Sequence, residues 1–199
     1  MPTEPKRQRI VREATRQFAE KGYERTTIAN IEAASGLSAG AGGLYRHFSS
    51  KQALLEEAVL RVITSFESRA AGLAVQTDAE PRAFLEQVGK AVLDDFADER
   101  DSVRIVLRDL DQFPDLQTAF RERRLRPGFN GLAAWLQAQV DAGRLRAHDT
   151  EAMAVVLLGP LIFLRVAEAL MGEAPVPVED NRVLAAWLDL ATAGLAPGR

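Results

Sequence analysis

The sequence contains no cysteine, which excludes disulfide staples, thiol nucleophiles and cysteine-bound zinc. Its two histidines, His47 and His148, lie far apart in the chain and offer no multi-histidine metal site. β-Branched residues are sparse. No run alternates apolar and polar residues between hairpin turns, so strands are not expected. Residues 1–5 hold no signal-peptide core. The longest apolar run, residues 152–164, has 13 residues, short of the ~18 needed to span a bilayer. A soluble cytoplasmic protein away from membranes is the expectation. No HExxH, Gly-rich nucleotide loop or Ser/His/Asp set is present, so no enzyme, metal or cofactor is implied.

What is there is an ordinary globular composition: 199 residues, 47% hydrophobic and 27% charged, with a net charge of −3. That net value argues against nucleic-acid binding by bulk charge. Its distribution reverses the argument. Residues 1–51 carry nine Lys/Arg against five Asp/Glu, a net of +4, and the remaining 148 residues net −7. Such asymmetry fits a nucleic-acid-binding part joined to something else. A merely solvated basic face fits the number equally well.

Apolar periodicity predicts helices throughout. Ile10, Ala14 and Phe18, with Val11 beside them, predict a helix over 6–21 that Gly22 stops. Thr26 or Thr27 caps a second helix, to about 34, with Ile28 and Ile31 inward. Ser49 and Gln52 have capping-box spacing and open a long helix from about 50 to 70. Asp78 and Pro81 open the next. A short helix is expected around 102–111. Pro114 starts another, broken or kinked at Pro127 and Gly128. Asp149 caps a helix over 151–171, with Pro160 as a kink and Gly172 as its stop. The last runs over 180–193.

Residues 27–48 have the parts of a helix-turn-helix. The first helix packs through Ile28 and Ile31, and Gly36 lets the chain reverse. The second offers a face of little bulk to the major groove, made of Ser38, Ala39, Gly40, Ala41, Gly42 and Gly43. Polar groups suited to phosphate follow: Tyr45, Arg46 and His47, then Lys51 in the first turn of the next helix. Tyr45 also fits a core aromatic with a solvated hydroxyl.

Thr26, Thr27, Ile28 and Ile31, then Ala34, Ser35, Gly36 and Leu37, then the Tyr45-x-His-Phe-x-Ser-Lys51 run, resemble the DNA-binding domain of TetR-family transcriptional regulators. The resemblance covers residues 10–58. It implies an all-α homodimer: an N-terminal three-helix helix-turn-helix domain, residues 1–51, and a C-terminal six-helix ligand-binding and dimerisation bundle, residues 52–199. It also implies DNA contacts from Thr27, Ser38, Tyr45, His47 and Lys51, with Ala39 to Gly43 along a recognition helix. Gly36 and Tyr45 are nine residues apart, where most family members have seven. The two extra small residues fall in the turn or at the start of that helix.

The expected function is a ligand-responsive regulator, a repressor, that binds a near-palindromic double-stranded DNA operator and is released by a small apolar or aromatic effector. Phe84, Phe96, Phe113, Phe120, Phe129, Trp135 and Phe163 are candidate pocket walls. The same side chains fit an ordinary core. Arg104, Arg108, Asp109, Asp111, Gln112, Arg165 and Glu168 are candidate orienting groups. The helices over 151–171 and 180–193 carry broad apolar faces suited to a four-helix dimer interface. The alternative is an all-α scaffold or protein-interaction module without DNA binding.

Overall fold

The computed structural model describes residues 4–73 and 80–196, with side chains other than those of 68–73 and 95–98. Every regular element among them is helical. The chain forms two compact units. One contains Met1–Ser65 and Glu99–Arg121, the other Phe66–Asp98 and Glu122–Arg199. The first unit is thus larger than the basic segment 1–51 and draws in a second stretch of chain.

In the first unit, α1 (Lys6–Lys21) buries Ile10, Val11, Ala14 and Phe18 on the predicted stripe. Gly22, at φ +90°, ends it and donates its N–H to Phe18 O at 2.9 Å. Thr27 caps α2 (Ile28–Ala34), its hydroxyl accepting the Asn30 N–H at 3.2 Å. Thr26 is instead buried, with Oγ1 2.8 Å from Gly22 O and 3.1 Å from Gln17 O. The next α-helix, α3 (Lys51–Leu73), is capped by Ser50, which accepts the Ala53 N–H at 2.9 Å. The expected Ser49–Gln52 box does not form, since Gln52 donates along the helix to Glu56. The second stretch brings α5 (Arg100–Asp109), a 3-10 turn (Leu110–Gln112) and α6 (Pro114–Phe120). Ile105, Leu110 and Leu116 complete the core around Phe18, Ile31, Leu54, Leu55 and Ile63. Burying one such large side chain stabilises by about 1.5–3 kcal/mol.

A polar clasp ties these pieces together. Arg108 donates to the last carbonyls of α1, Phe18 O and Ala19 O, and Asp109 accepts the Tyr23 N–H at 3.2 Å. Cations favour a helix C-terminus, where carbonyls lack intrahelical donors.

The second unit holds α4 (Pro81–Asp98), α7 (Arg126–Asp141), α8 (Thr150–Met171) and α9 (Asp180–Leu195) around a core of Leu85, Leu136, Leu158, Leu161, Trp187 and Leu188. Asp78 lies outside the described residues. Glu80 accepts the Ala83 N–H at 3.1 Å and caps α4. Gly89 lets α4 approach α9: a Cβ there would lie 2.6 Å from Leu184. Before Pro127 the chain does not break. It widens into a π turn (Arg121–Leu125) that runs into α7, an accommodation that relieves the clash of a proline ring with the preceding turn. Pro160 lies within α8, which continues as helix on both sides, capped by Asp149 and stopped by Gly172 in the left-handed conformation.

Among the described residues α8 is long and apolar enough to cross a membrane, with mean hydropathy 2.0. The 13-residue run therefore understated its apolar length. Its inner face packs on α4 and α7. Its Arg165 is buried, donating to Leu93 O at 3.2 Å and to Glu168 at 2.7 Å and bonding Asp180. Trp187 joins α9 to α8 through its indole N–H, 2.9 Å from Leu157 O.

Candidate nucleic-acid interface

Residues 38–43 do not form an α-helix. They make successive turns, with the Ala41 N–H bonded to Ser38 O and the Tyr45 N–H to Gly42 O, each at 3.2 Å. Only Leu44–Arg46 coils, as a single 3-10 turn. This corrects the expected recognition helix over Ala39, Gly40, Ala41, Gly42 and Gly43. Gly40 and Gly42 sit at φ +74° and +71°, backbone that a right-handed helix does not contain. Each glycine would also cost a helix about 1 kcal/mol relative to alanine.

The loop is held from beneath. Glu32 on α2 is 0% exposed. Its Oε2 accepts the Gly40 N–H at 2.8 Å and its Oε1 the Leu44 N–H at 2.9 Å. Hydrogen bonds to a charged group contribute about 1.5–3 kcal/mol each. In the charge sum Glu32 is only one of five negative residues in the basic segment. Its signal was positional, since Ile28, Ile31 and Glu32 share the inward stripe of α2, and a carboxylate there needs donors.

Leu44 and Phe48 are buried and clamp the 3-10 turn. That turns its polar residues outward: Tyr45 is 56% exposed, Arg46 is exposed and His47 half-buried. Arg46 has no ion-pair partner among the described residues. Several other basic residues do. Arg7 pairs with Glu57 at 2.6 Å, Arg12 with Glu4 and Glu13, and Arg16 with Glu13 and Glu20. The pairs of Arg12 and Arg16 use acids already counted in the net +4, and only the Arg7 pair draws on an acid outside residues 1–51. Lys51 is also engaged, donating to Tyr23 O at 2.7 Å and Thr26 O at 3.0 Å, with Nζ 4.1 Å from the centre of the Tyr23 ring. Two of its three N–H groups thus fasten the turn before α2. Ser38, Ala39, Gly40 and Ala41 are exposed, and Thr27, beside its capping bond, is exposed as well.

The profile of bacterial regulatory proteins of the tetR family matches residues 10–58. That of the AefR-like transcriptional repressor C-terminal domain matches residues 83–190, more than half of the chain. The chain belongs to the TetR family. It is 34% identical over 104 residues to YerO, an HTH-type transcriptional regulator of Bacillus subtilis (strain 168), a match that covers 51% of this chain and 35% of YerO. The matched region thus spans about a third of that curated relative. The fold is similar to a tetR-family regulatory protein from Rhodococcus RHA1, with 24% identity, TM-score 0.75, and 99% and 100% of the two chains covered. It is also similar to the ketosteroid transcriptional regulator KstR2 of Mycobacterium tuberculosis, with 19% identity, TM-score 0.73, and coverage of 98% and 97%.

The expected pocket aromatics of this TetR-family chain divide between the two units, Phe113 and Phe120 in the first and the others in the second. Phe84 and Trp135 stack in the second unit with ring centroids 4.1 Å apart, and Phe129 packs on the same core. Phe113 and Phe120 pack in the first unit, Phe113 edge-on to Tyr23 at 4.9 Å. Phe163 is 67% exposed on α8. The side chain of Phe96 lies outside the described residues. Periodicity predicted the helices but did not place each helix in a unit. Of the polar candidates, Arg108 and Asp109 form the clasp on α1, Arg165 and Glu168 pair, and Asp111 and Gln112 are exposed. Trp135 is only 5% exposed, yet its indole N–H has no hydrogen-bond partner among the described residues.

Proposed function

We propose that this protein is a ligand-responsive transcriptional repressor that binds a near-palindromic DNA operator as a homodimer in the cytoplasm, and that it regulates rather than catalyses. The observation that carries the DNA-binding part is the outward cluster of Tyr45 and unpaired Arg46 on a turn clamped by Leu44 and Phe48, with His47 beside it. Hydroxyl, guanidinium and imidazole groups of this kind bind phosphate and fix register. The loop 38–43 offers the groove backbone N–H groups, the Ser38 hydroxyl and the methyl groups of Ala39 and Ala41, which suit thymine methyls. Thr27 stands at the α2 N-terminus, where helix N–H groups favour a phosphate. Lys51 contributes its remaining N–H. The match to a repressor C-terminal domain favours repression.

Self-association is assigned to α8 and α9. Val155, Val156 and Leu190 are exposed there. A groove of about 560 Å³ runs between the two helices, lined almost wholly by apolar side chains including Met153, Pro160 and Leu190. The effector is assigned to the interior of the second unit, around Phe84, Phe129 and Trp135. An apolar or aromatic molecule with one hydrogen-bond acceptor fits a buried ring stack with a spare N–H. Release follows when the effector binds better to conformers that do not hold DNA. The helix α3 belongs in part to each unit and is the covalent path between them.

The test is a selection from random duplexes followed by gel-shift titration at several salt concentrations. Enrichment of a palindromic sequence, with affinity that falls as salt rises, is expected. Failure to enrich any duplex overturns the reading in favour of an interaction module.

A further inference from the structure

We propose that Glu32 is the positioning residue of the DNA-facing loop: it sets the sequence discrimination of residues 38–46 without touching DNA. The inference rests on the DNA-binding reading above.

The loop has little of its own to define its shape. Half of the six residues 38–43 are glycine, and two of these adopt left-handed backbone. Glycine-rich turns lose more freedom on ordering than any other sequence. The described turn bonds are local, spanning three residues each. The Glu32 carboxylate is different. It reaches across from α2 and binds Gly40 in the middle of the loop and Leu44 at the start of the 3-10 turn, one oxygen to each. The two bonds fix both ends of the Gly40–Leu44 stretch to one rigid group, and so fix where Tyr45 and Arg46 begin.

The carboxylate has no basic partner among the described residues and is fully buried. A buried charge satisfied only by main-chain N–H groups is an expensive way to fill space. An apolar side chain would fill it with less penalty but would leave Gly40 and Leu44 without an acceptor. Inward-facing N–H groups of alternating right- and left-handed turns form a natural anion cradle. Here the anion is supplied by the protein itself, so the cradle is closed and the outer face of the loop is left for DNA.

The full-length protein is selected against a random duplex library, and the enriched duplex is compared with a scrambled duplex of equal length. Glu32→Gln keeps one acceptor oxygen and Glu32→Ala keeps none. Glu32→Ala is expected to weaken binding to the enriched duplex on the order of tenfold, the scale of one lost base contact. Binding to the scrambled duplex and its salt slope should stay within about twofold, because buried Leu44 and Phe48 still hold the turn that carries the phosphate-suited Tyr45 and Arg46, and only its register against the bases is loosened. Glu32→Gln should fall between Glu32→Ala and wild type. Amide exchange at Gly40 and Leu44 should quicken in both variants while the α1 amides keep their protection. Equal loss on both duplexes, in step with lowered melting temperature, identifies a general structural role and overturns the proposal. So does retained discrimination, or unchanged Gly40 and Leu44 exchange. If wild-type protein enriches no duplex, the DNA-binding reading fails first and takes this one with it; lost positioning alone leaves DNA binding intact.

Discussion

The two units bury their polar groups for different purposes. In the first, Gln17, Thr26, Glu32 and Asp109 are buried, and each bonds the main chain of a turn or helix end. In the second, the buried cations serve long helices. Arg165 joins α8 to Leu93 on α4 and Asp180 on α9, and Arg124 lies over the Phe66 ring at 4.1 Å. Short elements leave many N–H and C=O groups outside helical ladders, and side chains must satisfy them. Long helices satisfy their own backbone. Their surfaces are then free for apolar side chains, inward and outward, and α8 and α9 expose Val155, Val156, Phe163 and Leu190. The first unit uses polar bonds to define one shape. The second relies on apolar area between long helices.

The comparison breaks most visibly when a core side chain is removed. Phe18→Ala should cost the first unit about 3–5 kcal/mol, read as a lowered urea midpoint with the α1 amides losing protection first. An outward change tests the other side. Leu190→Glu should leave the monomer folded, since the residue is exposed, but weaken self-association about 100-fold. Light scattering at micromolar concentration measures it, and an unchanged dimer would remove α9 from the interface. Asp109→Ala should cost about 1–3 kcal/mol, because it strands the Tyr23 N–H and unbalances Arg108. Thermal melting gives the value, and the loss should exceed that of the more exposed Arg108→Ala.

The smallest effect is electrostatic. Hydrogen bonds from Arg7 hold the Glu57 carboxyl below its usual range, against an opposing push from burial. A lowered carboxylate contributes stability above its unfolded value and loses it as pH falls through the folded one. Glu57→Gln should therefore flatten the acid limb of the stability curve, by less than about 1 kcal/mol because Arg7 is half exposed.

The helices were legible because their signals are local. The stripe of Ile10, Ala14 and Phe18, the stop at Gly22 and the Asp149 cap needed no knowledge of distant chain. The Tyr45 to Lys51 run was legible as a cluster. What escaped was three-dimensional. A run of small residues reads as a smooth helix face or as a string of turns, and the choice turns on Glu32, six to eleven residues away in sequence from the stretch it supports. The structural bonds of Lys51 were hidden for the same reason, since its acceptors Tyr23 O and Thr26 O are backbone atoms that composition does not show. The split of Phe113 and Phe120 from Phe84 and Trp135 depends on which stretch folds back, and periodicity carries no such information.

The first unit is not contiguous in the chain, and this has a consequence for its birth on the ribosome. The loop with Tyr45 emerges early, whereas Ile105, Arg108, Leu110 and Leu116, which close its core and clasp α1, emerge roughly sixty to seventy residues later. At the usual rate of synthesis the interval is on the order of 3–14 s. During it the helix-turn-helix segment waits without its closing side chains. The core of the first unit then lacks Ile105, Leu110 and Leu116 until most of the second stretch has been made. A completed core for the first unit would arrive with α5 and α6 rather than with the helix-turn-helix segment itself.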